Sequence, residues 1–186
     1  DPEDTLPNNN NPSITEGNIF GVGHDIDPSV CGSIDYVILG VAPYRQFIVN
    51  YNAVCHFGSQ CNSNTSTSQI VLYESSNNIE IHILSKPTCT AWNDGLAVVG
   101  LQSVDDTQGV SPPGRNMGVW TVTEPESWRF SPSGAPNYSL EWLDGDNNVI
   151  STEDTVTVSP TETTEYTFAV TYNLCTGGQA TVSDMV

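Results

Sequence analysis

The chain has 186 residues, enough for one large domain or a large and a small one, and it carries 22 Asp and Glu against 4 Lys and Arg. A formal net charge of -18, with only 14% charged residues where a soluble domain usually has about 25%, excludes nucleic-acid recognition by phosphate neutralisation and attraction to an anionic membrane. No apolar run approaches the ~18 residues of a membrane-spanning helix. Ser, Thr and Asn are abundant, and Val, Ile, Tyr, Phe and Trp come in short bursts between Gly, Pro and Asn, the texture of an all-β chain of many short strands. Five cysteines, Asn-rich loops and scarce lysine favour an oxidising exterior. A start at Asp1-Pro2-Glu3 and a strand-like end at Ala180 to Val186 are those expected of a piece of a longer protein.

Residues 1–17, with four consecutive Asn at 8–11, read as an exposed loop. Strands are expected at Asn18–Val22, Ser33–Gly40, Gln46–Phe57, Ser68–Glu74, Ile79–Ser85, Leu96–Ser103, Gly118–Thr123 and Ser127–Ser131. No segment keeps a helical period over three turns, so almost no helix is expected. Ser131-Pro-Ser-Gly-Ala-Pro136 reads as a joint, which divides the chain into residues 1–131 and a smaller domain at 132–186. That second domain holds acidic residues but no Lys or Arg. Its expected strands, Tyr138–Leu143, Val149–Ser151, Thr155–Val158, Glu165–Tyr172 and Gln179–Val186, have the spacing of a small β-sandwich.

Two hairpins organise the cysteines. A turn centred on Pro43 sets Cys31 opposite Cys55 at the open end of the first hairpin, within reach of a disulfide. A second turn at Ser75–Asn78 sets Gln69 opposite Leu84 and brings Cys61 and Cys89 together near its open end. Cys175 is left over, for a bond outside this stretch or as a buried thiol. No CxxC pair and no His at ligand spacing support a zinc site.

His24-Asp25-Ile26-Asp27 puts a His and two carboxylates within four residues. No catalytic motif accompanies it, and Asp25 and Asp27 bonding the backbone of a Gly-rich turn is the simpler reading, with calcium on those two acids as the minority functional one. Asp144-Gly-Asp-Asn-Asn148 imitates a calcium loop but has Thr155 where the bidentate acid belongs, so it reads as a hairpin turn. Glu80 and His82 share the solvated face of a strand whose Ile79, Ile81 and Ile83 face a core. Trp92, Trp120 and Trp128 could form a sugar-stacking platform but sit in blocks that look like core or joint. The four cations, Arg45, Lys86, Arg115 and Arg129, are expected to anchor loops through carboxylates and carbonyls.

A series of blocks carries a resemblance: Gly21-Val-Gly-His-Asp-Ile-Asp-Pro28, Ala42-Pro-Tyr-Arg45, Gln69-Ile-Val-Leu-Tyr-Glu74, Asn78-Ile-Glu-Ile-His-Ile83, Lys86-Pro-Thr-Cys-Thr-Ala-Trp-Asn93, Val98-Val-Gly-Leu-Gln102, Pro113-Gly-Arg-Asn116 and Trp128-Arg-Phe-Ser-Pro-Ser133. In this order they resemble a β-rich module, distantly similar to the nidogen extracellular domain, of giant surface adhesins of gliding Bacteroidetes, the SprB type exported by type IX secretion. Tyr138-Ser-Leu-Glu-Trp142, Thr155-Val-Thr-Val-Ser-Pro160 and Thr163-Thr-Glu-Tyr-Thr-Phe168 look like the Ig-like or PKD-like repeats that follow such modules. The resemblance implies a nidogen-like β-sandwich followed by a small Ig-like one, and a non-catalytic structural or binding module for attachment and gliding at the outer-membrane surface. Its implied partners are surface polysaccharide, the substratum, other surface proteins and flanking repeats of the same chain, without nucleic acid, membrane insertion or a cofactor. A carbohydrate-binding module of a secreted polysaccharide-handling protein is the alternative. Asp4-Thr5-Leu6 and Asp154-Thr155-Val156 are similar to the Bacteroidetes O-glycosylation signal, which makes Thr5 and Thr155 candidate glycosylation sites.

Overall fold

A computed structural model describes residues 5–7, 17–173 and 178–186. Among them the chain is all-β, as expected: thirteen strands form three antiparallel sheets, and the one helical element is a short 3-10 turn at Asn93–Gly95. The chain divides into two compact units, one of residues 1–39, 46–72 and 79–130, the other of residues 40–45, 73–78 and 131–186. The second unit thus includes two hairpin-turn segments as well as the chain after residue 130.

The first unit holds two sheets. One has five strands in the order β2 (Ser33–Leu39), β3 (Gln46–Cys55), β4 (Thr65–Tyr73), β5 (Ile79–Ser85), β9 (Glu126–Phe130). The other joins β1 (Asn18–Gly23), β6 (Leu96–Gln102) and β7 (Gly109–Val110), with β8 (Gly118–Val119) also on β6. The period-2 alternation of β5 sends Ile81 and Ile83 inward, where they are 0% and 1% exposed. There they meet Ile70 of β4, Ala97 and Val99 of β6, and Trp120 and Val122. Each buried isoleucine is worth roughly 1.5–3 kcal/mol relative to exposure. β6 is buried continuously from Ala97 to Gly100, which explains why its sequence is an apolar run without alternation. β1 lies so close to β4 that a Cβ on Gly21 would come within 2.8 Å of the Ile70 side chain, so a larger residue there would displace that buried isoleucine.

Both expected hairpin registers need correction. In the first, Ser33 pairs with Asn52 and Leu39 with Gln46, one residue away from a turn centred on Pro43. The cysteines still meet, because the chain is irregular at their end: Gly32 and Ala53 both take positive φ, 82° and 47°, and absorb the extra residue. A one-residue slip would normally exchange the faces of a strand, but β2 is exposed on both faces, so no hydrophobic pattern specified its register. In the second hairpin Gln69 pairs with His82 and Leu72 with Ile79, two residues from the expected pairing, a shift that leaves every side chain on its original face.

In the second unit β10 (Tyr138–Leu143), β11 (Val149–Ser151), β12 (Thr167–Asn173) and β13 (Gln179–Met185) form a sheet ordered β11-β10-β12-β13. Its two faces differ: Ala169 is buried on one, and on the other Trp142 and Phe168, paired across β10 and β12, have ring centroids 4.7 Å apart. Asp144–Asn148 is the turn between β10 and β11: Asp144 Oδ1 accepts the amides of Asp146 and Asn148 at 3.0 and 2.9 Å, so its oxygens serve the turn. The strand expected at Thr155–Val158 does not form. Its Thr-Val alternation is strand-like, but among the described residues no strand pairs with it, and without a ladder the pattern has no structure to stabilise.

Candidate functional site

Two places in the first unit gather chemically capable side chains. The first is a buried polar cluster. Cys31–Cys55 and Cys61–Cys89 are disulfide-bonded, with Cα separations of 5.2 and 5.7 Å, and close loops around it. The His24-Asp-Ile-Asp27 segment docks along the chain beside Cys55: the Asp27 amide donates to the Cys55 carbonyl at 2.8 Å and the Phe57 amide to the Asp25 carbonyl at 3.1 Å. His56 follows Cys55 and is 4% exposed. Its Nε2 lies 2.8 Å from the Ser66 hydroxyl, which is also 3.2 Å from His24 Nε2, and the two imidazoles meet edge to face at 4.3 Å.

Lys86, 2% exposed, donates from Nζ to the Trp120 carbonyl at 2.7 Å and lies 4.5 Å from the centre of that indole, which Arg115 also covers at 4.6 Å. Burial, with the charges of His56 and Lys86 adding to it, pulls His24 down to about 3, and burial with the Lys86 charge pulls His56 down to about 4. Both imidazoles are therefore neutral at pH 7. Burial, reinforced by the Arg115 charge, brings the Lys86 ammonium down to about 8. A neutral imidazole against a serine hydroxyl is the start of a nucleophile–base pair. The adjoining cavity, lined by His24, His56, Lys86 and Trp92, has a volume of only ≈ 20 Å³, room for about one water and none for a substrate.

The second place is the outer face of the five-stranded sheet. In register across it run Asp35 on β2, Asn50 on β3, Gln69 on β4, His82 on β5 and Ser127 on β9, with Asp35 opposite Asn50, Gln69 opposite His82 and His82 opposite Ser127. Gln69 Nε2 donates to Asn50 Oδ1 at 2.6 Å, and His82 Nδ1 lies 2.8 Å from the Ser127 hydroxyl. Asp35, Asn50, Gln69 and His82, with Asn52, Thr67 and Leu84, line a groove of ≈ 410 Å³, and Ser127 stands beside it on β9. Sequence reasoning placed Glu80 and His82 on this face but missed the row, because cross-strand neighbours depend on registers that strand patterns alone do not specify.

The remaining candidates fall as follows. Asp25 Oδ2 accepts the Trp92 indole N–H at 2.7 Å, and Asp27 Oδ1 accepts the Ser29 amide at 3.0 Å and the Ser29 hydroxyl at 2.5 Å. Among the described residues no group of three or more His, Cys, Asp or Glu is placed to hold a metal ion. The tryptophans do not make a platform: Trp120 is in the core, Trp128 packs against it, and Trp92 is 45% exposed. Each cation anchors chain, Arg45 on Glu74, Arg115 on Glu126 and Arg129 on Glu80, all at 2.6 Å, and Lys86 on the Trp120 carbonyl. Thr5 and Thr155 are both exposed. Cys175 lies outside the described residues.

Sequence reading also missed the His24–Ser66–His56 contact, whose members are up to 42 residues apart. The one available signal was Lys86 itself, a rare cation between a strand and a cysteine.

Disulfides persist in oxidising compartments, and two of them in one small unit mark an extracellular or secreted protein. No curated protein and no solved structure matches the chain. A family model described as NIDO related matches residues 2–141. That stretch contains both sheets of the first unit, both disulfides and the polar row, and it is well over half of the sequence, so the chain belongs to the NIDO-related family.

Proposed function

We propose that this chain is a non-catalytic structural and binding module of a large bacterial cell-surface adhesin, displayed outside the outer membrane and used in attachment and gliding. The observation that carries the reading is the NIDO-related match over residues 2–141 on a disulfide-closed, all-β unit. The resemblance of the Gly21–Pro28 to Trp128–Ser133 blocks to modules of SprB-type adhesins supports the finer assignment, including export by type IX secretion and an Ig-like repeat after the module. A non-enzymatic role is supported by the burial of Ser66, 4% exposed, beside a cavity too small for a substrate. Flanking repeats, surface polysaccharide and other surface proteins are the partners this role entails, and no cofactor is required. The groove across the five-stranded sheet favours a second, compatible reading in which the module binds carbohydrate.

Surface display is tested with antibody raised against the purified chain and applied to intact cells of the source organism. Labelling of unpermeabilised cells that disappears after brief external proteolysis is expected. Labelling only after permeabilisation overturns the assignment.

A further inference from the structure

We infer that the groove on the outer face of the five-stranded sheet is a binding site for a neutral, linear oligosaccharide lying across the strands. The inference deepens the adhesin reading and rests on it for the source of the ligand.

Three features converge on this ligand. First, Asp35, Asn50, Gln69 and His82 give each of the four strands that line the groove one polar side chain at the same level, and Ser127 on β9 continues the row past its edge. Adjacent strands are ~4.8 Å apart, about the length of one hexose unit, so successive sugars of an extended chain meet successive side chains. Second, the chemistry is that of hydroxyl recognition. Amides offer a donor and an acceptor on one planar group, which matches vicinal hydroxyls. Asn50 and Gln69 spend one donor and one acceptor on each other, leaving the Asn50 amide N–H groups and the Gln69 carbonyl oxygen for a ligand. The exposed Asn52 side chain has no hydrogen-bond partner among the described residues. Leu84, 58% exposed at the groove, supplies an apolar contact for a sugar C–H face.

Third, charge selects against acidic glycans. The lining contains no Lys or Arg and includes the carboxylate of Asp35, within a chain of net charge -18. A uronate, sulfate or phosphate group would enter without a counterion. The groove volume of ≈ 410 Å³ falls in the ~300–1,000 Å³ range of small-ligand sites.

The test uses the full chain on an array of neutral and acidic oligosaccharides, followed by calorimetry with the strongest neutral ligand. Binding to neutral oligosaccharides is expected, at least ten-fold weaker in Asn50→Ala/Gln69→Ala and several-fold weaker in Asn52→Ala. Asn52→Ala removes no hydrogen bond that the described structure makes, so its loss cannot be ascribed to misfolding, and melting curves check the double variant. Preference for acidic glycans, binding unaffected by these substitutions, or no glycan binding would each overturn the inference. A surface-labelled protein that binds no neutral glycan would sink this site and leave the adhesin reading standing, whereas protein found only inside cells would sink the adhesin reading whatever the array shows.

Discussion

The neutral histidine pair makes the first unit sensitive to mild acid. The ordinary imidazole value is 6.5, and His24 and His56 are held at about 3 and about 4, so on acidification the unfolded chain takes up protons that the folded chain does not. A group with a depressed folded value binds more protons when unfolded, and stability is then lost as pH falls below 6.5. By pH 5 each histidine has cost about 2 kcal/mol relative to pH 7.5, or about 4 kcal/mol for the pair. Carboxylates confuse the result little at that pH. Glu74, held at about 2 by hydrogen bonds from Arg45, and Glu126, held low by Arg115, withdraw their contributions only as pH drops below their ordinary 4.5.

The assay is urea unfolding followed by tryptophan fluorescence, with Trp120 in the core as reporter. At a slope of about 2 kcal/mol/M, wild type should lose about 2 M in midpoint between pH 7.5 and pH 5. His24→Gln/His56→Gln, whatever its stability at pH 7.5, should lose less than about a quarter of that over the same interval. A wild-type midpoint that stays constant to pH 5, or a double variant that falls as far as wild type, would refute the assignment of two buried neutral imidazoles.

Lys86 is the only lysine, and its ammonium is buried against Trp120. Its folded value of about 8 lies below the ordinary 10.5, which means the unfolded chain holds the proton longer and stability rises with pH. We expect a gain of about 2 kcal/mol from pH 7 to 9.5 in wild type and a flat profile in Lys86→Met, measured by the same denaturation. Breaking Cys61–Cys89 with a double Ser substitution reopens a loop of sequence separation 28 and should cost about 3 to 4 kcal/mol in the chain-entropy picture, read from unfolding curves with and without reductant. An unchanged midpoint would show that the bond does not constrain the unfolded chain. Mass spectrometry of protein from its native source should find hexose-containing additions on the exposed Thr5 or Thr155, and bare peptides across both positions would dismiss them as glycosylation sites.

The sequence by itself determined the class of this protein and most of its strands. The Ile79-Glu-Ile-His-Ile alternation can only be a half-buried strand, and Ile79–Ser85 is β5 to the residue. Cysteine spacing within hairpins pointed to both disulfides, and the one-residue error in the first register did not separate Cys31 from Cys55 because the irregular backbone at Gly32 and Ala53 takes up the difference. Registers were legible only where one face is buried: the two-residue error in the β4–β5 hairpin left all faces in place, while β2, exposed on both sides, carried no pattern to count from. Tertiary structure alone decided that Thr155–Val158 has no strand to pair with, that Lys86 lies in the core against Trp120, and that Ser66 joins His24 to His56. It also decided that five polar side chains from five strands stand in one row. The reason is common to all four. Local alternation reports which face of a strand a residue occupies, but not which strand lies beside it, and burial and recognition both depend on the neighbour.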